Sequence, residues 1–169
     1  MRIYTLGTDH RLPYDFTRIL AKYGVQVVFD VRRMPESKEE HFTRRGLENL
    51  CSSQGVNYVY LGNELAGPPE GSSFDGRFAR HSYQRWQTSP EFQRGFGIIR
   101  QKLEKRVCCI LCAERSPERC HRRFIGNLLA DQGIDVVHIL DETSTWQKPP
   151  ASPIRPRPRG RTTRRRPRR

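Results

Sequence analysis

The fold is decided by the stretch VCCILCAERSPERCHRRFIGNLLADQGIDVVHIL, residues 107–140. Residues 107–111 form the most apolar run of the chain, and a polar loop follows them. Residues 121–132 then carry apolar side chains at helical spacing, and Gly133 ends that segment. A second apolar run covers residues 134–140. The stretch therefore predicts a strand, a helix and a strand, which is the unit from which parallel sheets are built.

The same alternation runs through the rest of the chain. Apolar runs at 2–6, 25–31 and 56–61 predict strands, and helical spacing at 14–23, 44–54 and 89–103 predicts helices. This order predicts an α/β protein with a single three-layer domain, residues 1–145. We expect a mainly parallel twisted sheet of about five strands with helices on both faces. Residues 62–82, between the third strand and the third helix, predict a long irregular loop. Such a loop in a compact domain is often functional.

The positive charge is concentrated at the end of the chain. The 169 residues have a formal net charge of +13, and residues 151–169 contain nine arginines and no acidic residue. The remainder, with 22 basic and 18 acidic side chains, is only mildly basic. Residues 146–169 are therefore predicted to be a disordered, Pro/Arg-rich basic tail that could bind nucleic acid through its phosphates.

Cysteine usage favours a cytoplasmic protein with reduced thiols. The chain has five cysteines, an odd number, and it opens without an apolar signal segment. No run approaches the ~18 apolar residues of a membrane span. We therefore expect no membrane association and no structural disulfide.

Two cysteines and a glutamate lie where open α/β sheets bind ligands, beyond the carboxyl ends of the strands. Cys112 ends the most apolar strand, Glu114 follows in the loop, and Cys120 precedes the next helix. Because a helix N-terminus lowers the pKa of a thiol, Cys120 is predicted to be the most reactive thiol. Glu114 could serve as a general acid or base. These three residues are the candidate catalytic residues.

The segment after Cys120 favours an anionic substrate. His121 and Arg122 begin a helix whose free N–H groups attract anions, and Arg122 or Arg123 could hold a phosphate. Metal binding by Cys112, Cys120 and His121 is an alternative, but the Cys-x7-Cys-His spacing matches no standard zinc pattern, so we assign no metal ligand. A third interpretation is that the cysteines are buried apolar side chains.

A second polar cluster follows the second strand. Asp30 interrupts an apolar run, and because a buried carboxylate needs a partner, Arg32 is predicted to pair with it. The pair could be structural or could bind an anion. Thr8, after the first strand, could add a hydroxyl. We expect Asp30 and Arg32 to border one crevice together with the three candidate catalytic residues.

The chain resembles the family called domain of unknown function 488 over residues 3–141, nearly the whole predicted domain. The matching motifs are Thr5-Leu6-Gly7, Asp30-Val31-Arg32 with Pro35 and Ser37, Tyr58 with Leu61 and Gly62, and Cys112-Ala113-Glu114 with Cys120-His121-Arg122. The last motif is the most specific. Residues 63–67 depart from the family's pattern, because they lack its Gly-Gly pair. The resemblance implies the fold and the position of the site, but the family has no settled activity.

Two functions remain open from the sequence. The first is an enzyme that acts on a phosphorylated substrate, such as a nucleotide or nucleic acid, through the Cys/Glu/Arg site. The second is a nucleic-acid-binding module without catalysis, in which the tail is joined by Tyr83, Trp86 and Phe92, aromatic residues interleaved with arginines. Such a stripe is more often helix core beside a solvated face. The sequence does not identify a cofactor or an oligomeric state.

Overall fold

The protein is an α/β structure, and the computed structural model describes residues 1–67 and 83–147. The strands of these ranges are β1 (Arg2–Gly7), β2 (Val27–Asp30), β3 (Asn57–Tyr60), β4 (Cys108–Cys112), β5 (Asp135–Ile139) and β6 (Thr145–Trp146). The helices are α1 (Pro13–Lys22), α2 (Arg44–Ser53), α3 (Gly62–Leu65), α4 (Pro90–Leu103) and α5 (Arg122–Asp131). Short 3-10 turns cover Glu40–Phe42 and Pro117–Arg119. The predicted α/β class is confirmed.

The strands form one sheet in the order β3-β2-β4-β1-β5-β6. The first five strands pair in parallel, as predicted. Strand β4 lies between β1 and β2, and all five of its residues are buried. A strand with neighbours on both edges and packing on both faces has no polar side, which explains the uninterrupted apolar run in the sequence.

Two apolar cores cover the two faces of the sheet. One core joins the sheet to α1 and α2, and its members include Phe16, Ile19, Leu20, Leu47, Cys109 and Leu111. The other joins the sheet to α4 and α5, and its members include Phe92, Phe96, Ile99, Ile110, Cys112 and Ile125. Successive side chains of a strand point to opposite faces, so β4 contributes alternate residues to each core. The result is the predicted three-layer arrangement.

The carboxyl end of β4 is a topological switch point. The chain leaves β1 and β2 toward α1 and α2 on one face, but it leaves β4 toward α5 on the opposite face. Loops that part in this way leave a crevice at the strand ends, the usual ligand site of open α/β sheets. Cys112, the last residue of β4, lies at this point.

The sheet has six strands where the sequence predicted about five. The additional strand, β6, pairs with β5 in the antiparallel direction through His138 and Ile139. The turn before it is held by the Asp141 carboxylate, which accepts hydrogen bonds from the backbone N–H groups of Thr143 and Ser144 at 2.9 and 2.8 Å. Two residues are too few to show an alternating pattern, so the sequence carried no signal for β6.

Parts of two predicted segments lie outside the described residues. The first is residues 68–82 of the predicted loop, whose beginning forms α3, and the second is residues 148–169 of the predicted tail. Across 1–67 and 83–147, no helix has the length and apolar character needed to cross a membrane.

Candidate functional site

Two thiols and an imidazole converge beyond the end of β4. The ligand atoms of Cys112, Cys120 and His121 all lie within 4.8 Å of one another, and the three side chains are buried. We call these three residues the thiol cluster. The turn Pro117–Arg119 brings the chain back so that Cys120 and His121, just before α5, face the end of the strand. The structure thus brings together two of the candidate catalytic residues and one of the candidate substrate-binding residues.

The orientation of His121 is set by a distant backbone carbonyl. Its Nε2 lies 2.9 Å from the carbonyl oxygen of Val31, just after β2. Since a carbonyl oxygen only accepts, Nε2 must carry the hydrogen atom. In the neutral ring, Nδ1 then bears the lone pair, and this atom lies 3.6 Å from the sulfur of Cys112.

The two thiols of the cluster have opposite pKa shifts. The pKa of Cys112 is held well above its usual value by its hydrogen bond with Cys120 and by burial. Burial also opposes ionisation of Cys120, but the hydrogen bonds with Cys112 and His121 and the nearby positive charge outweigh it and hold this pKa well below the usual value. The hydrogen bond between the two sulfurs thus favours the proton on Cys112 and the negative charge on Cys120.

The other cysteines differ from Cys120. Burial raises the pKa of Cys51 to about 12 and that of Cys108 to about 11, and it raises that of Cys109 as well. All three are buried within the two apolar cores. These cysteines fit the interpretation of a structural apolar side chain.

Arg122 supports the loop that carries the site. Its guanidinium is fully buried and donates hydrogen bonds to the backbone carbonyls of Glu114 and Arg115, the second at 2.7 Å. Its Nε also lies 3.3 Å from the hydroxyl of Thr5, which in turn lies 2.6 Å from Nδ1 of His138. The Nε, Nη1 and Nη2 atoms of Arg122 thus all donate hydrogen bonds within the protein.

The loop after β4 also lies against the end of β1. The backbone N–H groups of Thr8 and Asp9 donate to the carbonyls of Cys112 and Ala113 at 3.0 and 2.9 Å. At Gly7, an added Cβ would lie 2.0 Å from the carbonyl oxygen of Glu114. Glycine is therefore required here by the close approach of two backbones.

Asp30 and Arg32 form a buried ion pair. Arg32 Nη2 lies 2.6 Å and Nε 2.9 Å from the two carboxylate oxygens, and Nη1 donates to the carbonyl of Phe42 at 2.8 Å. The Tyr58 hydroxyl donates to the same carboxylate at 2.7 Å. Burial acts to lower the pKa of Arg32, but the hydrogen bond and charge of Asp30 raise it overall. The sequence identified the correct partner for Asp30.

The ion pair borders a crevice of about 720 Å³ between the loops that follow β1 and β2. Thr8, Arg32 and Glu114 line it, and the Glu114 side chain is exposed. Cys112 and Cys120, only 4% and 3% exposed, do not line it and belong to the core on the opposite face of the sheet. The single crevice expected from the sequence is therefore divided, because Asp30 and Cys112 point to opposite faces.

The face that holds the thiol cluster has its own cleft. This cleft, of about 570 Å³, runs beside the Pro117–Arg119 turn and is lined by Arg123, Gln84, Gln87 and Asn127. Arg123 donates to the carbonyl of Glu118 at its rim. Of the two arginines that the sequence offered as phosphate ligands, Arg123 lines a cleft and Arg122 is buried.

Tyr83 is a neighbour of the site that the sequence did not assign to it. Its ring stacks on Phe124 with centroids 4.8 Å apart and lies 6.4 Å from the His121 ring, and its hydroxyl donates to the carbonyl of Leu65. Burial raises its pKa well above the usual value. Tyr83 and Phe92 are buried in the core, so these two members of the aromatic stripe are not open to stacking bases.

Comparison with models of known protein families gives a match over most of the domain. The family model described as "Domain of unknown function DUF488" matches residues 14–129. This span contains the thiol cluster and the Asp30–Arg32 pair, while Thr8 lies before it. No curated protein matches the chain.

Proposed function

The chain belongs to the DUF488 family, whose description assigns no reaction, and we propose from the site that it is an enzyme acting on a phosphorylated substrate, a nucleotide or nucleic acid. Cys120 is the nucleophile of this proposal. The observation that carries it is the convergence of two sulfurs and an imidazole within 4.8 Å at the switch point of the sheet. An activated nucleophile requires such hydrogen-bonding neighbours.

The remaining residues take supporting roles in this proposal. Cys112 and His121 provide the proton-sharing neighbours of the Cys120 sulfur, since the ligand atoms of all three residues lie within 4.8 Å of one another. Arg122 is a positioning residue, because it donates to the carbonyls of the loop that carries Glu114. Glu114 and Thr8 contact the part of the substrate that enters the crevice between the loops after β1 and β2.

The cleft beside the Pro117–Arg119 turn is the proposed place for the phosphate. Arg123 supplies a positive charge there, beside the acidic Glu118 and Asp131, and amide groups come from Gln84, Gln87 and Asn127. Amide groups can both donate and accept hydrogen bonds, which suits the edge of a nucleobase. The arrangement therefore supports a nucleotide unit as the substrate.

The first test is the relative reactivity of the thiols. The native, metal-free chain is alkylated at pH 7 and each cysteine is read by mass spectrometry. Cys120 is expected to label before Cys51, which is buried in the core against α1 and α2. If Cys51 labels faster, Cys120 is not the activated nucleophile.

The second test is turnover. Cys120→Ser should abolish hydrolysis or transfer in a panel of nucleotides and end-phosphorylated oligonucleotides. Arg123→Gln should raise KM for the same substrate, while Arg94→Gln, a change on the exposed surface of α4, should leave KM unchanged. If the two arginine changes alter KM equally, the cleft is not the binding place of the phosphate.

A second candidate function is sequence-independent binding of nucleic acid by the tail. Nine arginines without an acidic residue between 151 and 169 favour it, because such runs bind phosphates mainly by charge. This function requires no catalysis, and it is compatible with an enzyme that acts on nucleic acid.

A further inference from the structure

We propose that Cys112, Cys120 and His121 form a binding site for one soft divalent metal ion of the zinc class. The three residues are those of the proposed catalytic cluster, so metal binding would regulate the same site. The inference does not depend on the substrate, because it follows from the identity and position of three ligand atoms.

The spacing of the ligand atoms suits a single ion. Zinc binds sulfur at ~2.3 Å and nitrogen at ~2.0–2.1 Å, so sulfur and nitrogen ligands of one tetrahedral ion lie about 3.5 Å apart. The Cys112 sulfur and Nδ1 of His121 are already 3.6 Å apart. All ligand atoms of the cluster lie within 4.8 Å of one another, so a small inward movement completes the geometry.

The His121 ring is oriented by a hydrogen bond of the kind that metal-binding histidines make with their second ring nitrogen. Its Nε2–H donates to the Val31 carbonyl at 2.9 Å, so the lone pair of the neutral ring is on Nδ1, and the sulfur of Cys112 lies 3.6 Å from Nδ1 and 3.8 Å from Nε2. Metal-ligating histidines almost always donate their other ring N–H to a carbonyl or carboxylate in this way. This contact is independent of the cysteines, since it joins the imidazole to the residue that follows β2, the strand beside β4.

The chemistry of the ligands selects the metal. Two sulfurs and one imidazole favour zinc and similar soft ions over magnesium or calcium, which take oxygen ligands. The cluster is buried, and the rings of Tyr83 and Phe124 pack beside it. Within residues 1–67 and 83–147 the group has three members, so a fourth position is left for water or another donor. Three protein ligands and one open position are typical of catalytic zinc sites.

Metal binding and thiol nucleophilicity exclude each other at this cluster. A sulfur that donates its lone pair to the ion is not free to attack a substrate or an alkylating reagent. Loading the site should therefore protect both Cys112 and Cys120, and a chelator should restore their labelling. Cys51, in the other core, should label at the same rate with or without the ion.

The test is a titration of the reduced, metal-stripped full chain with Co²⁺, followed by competition with Zn²⁺. We expect one ion per chain, a sulfur-to-cobalt charge-transfer band and displacement by zinc. Cys112→Ser and Cys120→Ser should each weaken binding by at least about 100-fold, more than is usual for loss of an outer-shell partner. Cys51→Ser serves as the matched control and should bind as the unchanged chain does.

X-ray absorption spectroscopy of the zinc-loaded, unchanged chain measures the metal ligands directly. This second test therefore does not depend on whether the cysteine variants fold. Two sulfur ligands at ~2.3 Å and nitrogen or oxygen ligands at ~2.0–2.1 Å are expected. A coordination shell without sulfur, or full-strength binding by Cys112→Ser, would overturn the site. Slow alkylation of Cys120 in the metal-free chain would instead contradict only the proposed nucleophile, so the two failures are distinguishable.

Discussion

Buried arginines maintain the shape of the strand ends. Arg32 and Arg122 are 5% and 0% exposed, and their donors are directed to Asp30 and to backbone carbonyls. Arginine suits this role because its planar group makes several fixed hydrogen bonds and stays charged when buried. Their main contribution is therefore to the position of the loops, and the half-buried Arg123, which lines a cleft, is the better candidate for a substrate contact.

Removal of Arg32 should be strongly destabilising. Arg32→Met leaves the buried Asp30 carboxylate without its ion partner, which should lower the free energy of unfolding by about 3–5 kcal/mol. The measurement is urea unfolding at pH 7. The control is Arg2→Met, which breaks the exposed pair with Asp135 and should leave the unfolding midpoint nearly unchanged. The double variant with Asp30→Asn should recover part of the loss, and simple additivity would argue against a coupled pair.

His138 should make stability depend on pH below neutrality. Burial, followed by the charge of Arg122, lowers the pKa of this imidazole to about 4 from 6.5. Between these values the unfolded chain binds a proton that the folded chain does not, so stability falls as the pH drops from about 6.5 to about 4. The loss is at most about 3 kcal/mol at ~1.36 kcal/mol per pKa unit.

The His138 prediction is checked by unfolding curves at several pH values. His138→Asn should reduce the difference in unfolding free energy between pH 7 and pH 4.5. His10→Asn, at an exposed histidine, should leave that difference as it is. A wild-type stability that stays flat over this pH range would contradict the buried neutral imidazole.

Among the elements, the contact of β1 with the loop after β4 positions the thiol cluster. Both backbones come close at Gly7, and the hydrogen bonds of Thr8 and Asp9 extend the parallel pairing beyond the strands. Arg122, from α5, binds the same loop from the other side. The loop is thus fixed by β1, a central strand of the sheet, and by α5, which packs on one face of the sheet.

Gly7→Ala should disturb this contact. The new Cβ would lie 2.0 Å from the Glu114 carbonyl oxygen and 2.8 Å from Cα of Arg115, so backbone must move, at a cost of about 1–3 kcal/mol or more. The matched control is Gly97→Ala on the exposed side of α4, where nothing lies within 4 Å. This change should stabilise the protein by about 0.5–1 kcal/mol. Thermal unfolding of both variants tests the prediction, which fails if they shift the midpoint in the same direction.

Across the whole molecule, the mildly basic α/β domain and the arginine-rich end differ in what they can bind. The arginine-rich end lies beyond the described residues, and we expect it to bind nucleic acid because of its composition alone. Attraction to phosphates releases counterions, so affinity from the tail should depend strongly on salt. The thiol cluster, buried in the domain, should respond to metal and alkylating reagents instead.

Deletion of residues 149–169 should separate these two properties. The melting temperature should stay the same, because the segment carries almost no apolar side chains. The slope of log affinity for duplex DNA against log salt should flatten by several units, with an upper limit of about 8 for nine arginines. A full-length variant with lysine at all nine positions should retain most of the slope. An unchanged slope after deletion would show that binding, if present, belongs to the domain.

The amino-acid sequence alone determined the order of the five parallel strands and the longer helices, but not α3 or β6. It also determined the α/β class, the family and the placement of Cys112 and Cys120 beside each other at the end of β4. These features follow from local patterns, since periodicity, turn residues and short motifs are properties of neighbouring residues. The partner of Asp30 could also be predicted, because Arg32 is only two residues away and a buried carboxylate requires a counter-charge.

Only the tertiary structure decided how these residues are distributed in space. The division between the crevice and the thiol cluster depends on which face of the sheet each strand end presents, and this requires the strand order β3-β2-β4-β1-β5-β6. The contact of His121 with the Val31 carbonyl joins residues 90 positions apart. The burial of Arg122 likewise depends on packing between elements. Such contacts arise when distant segments meet, so no local pattern encodes them.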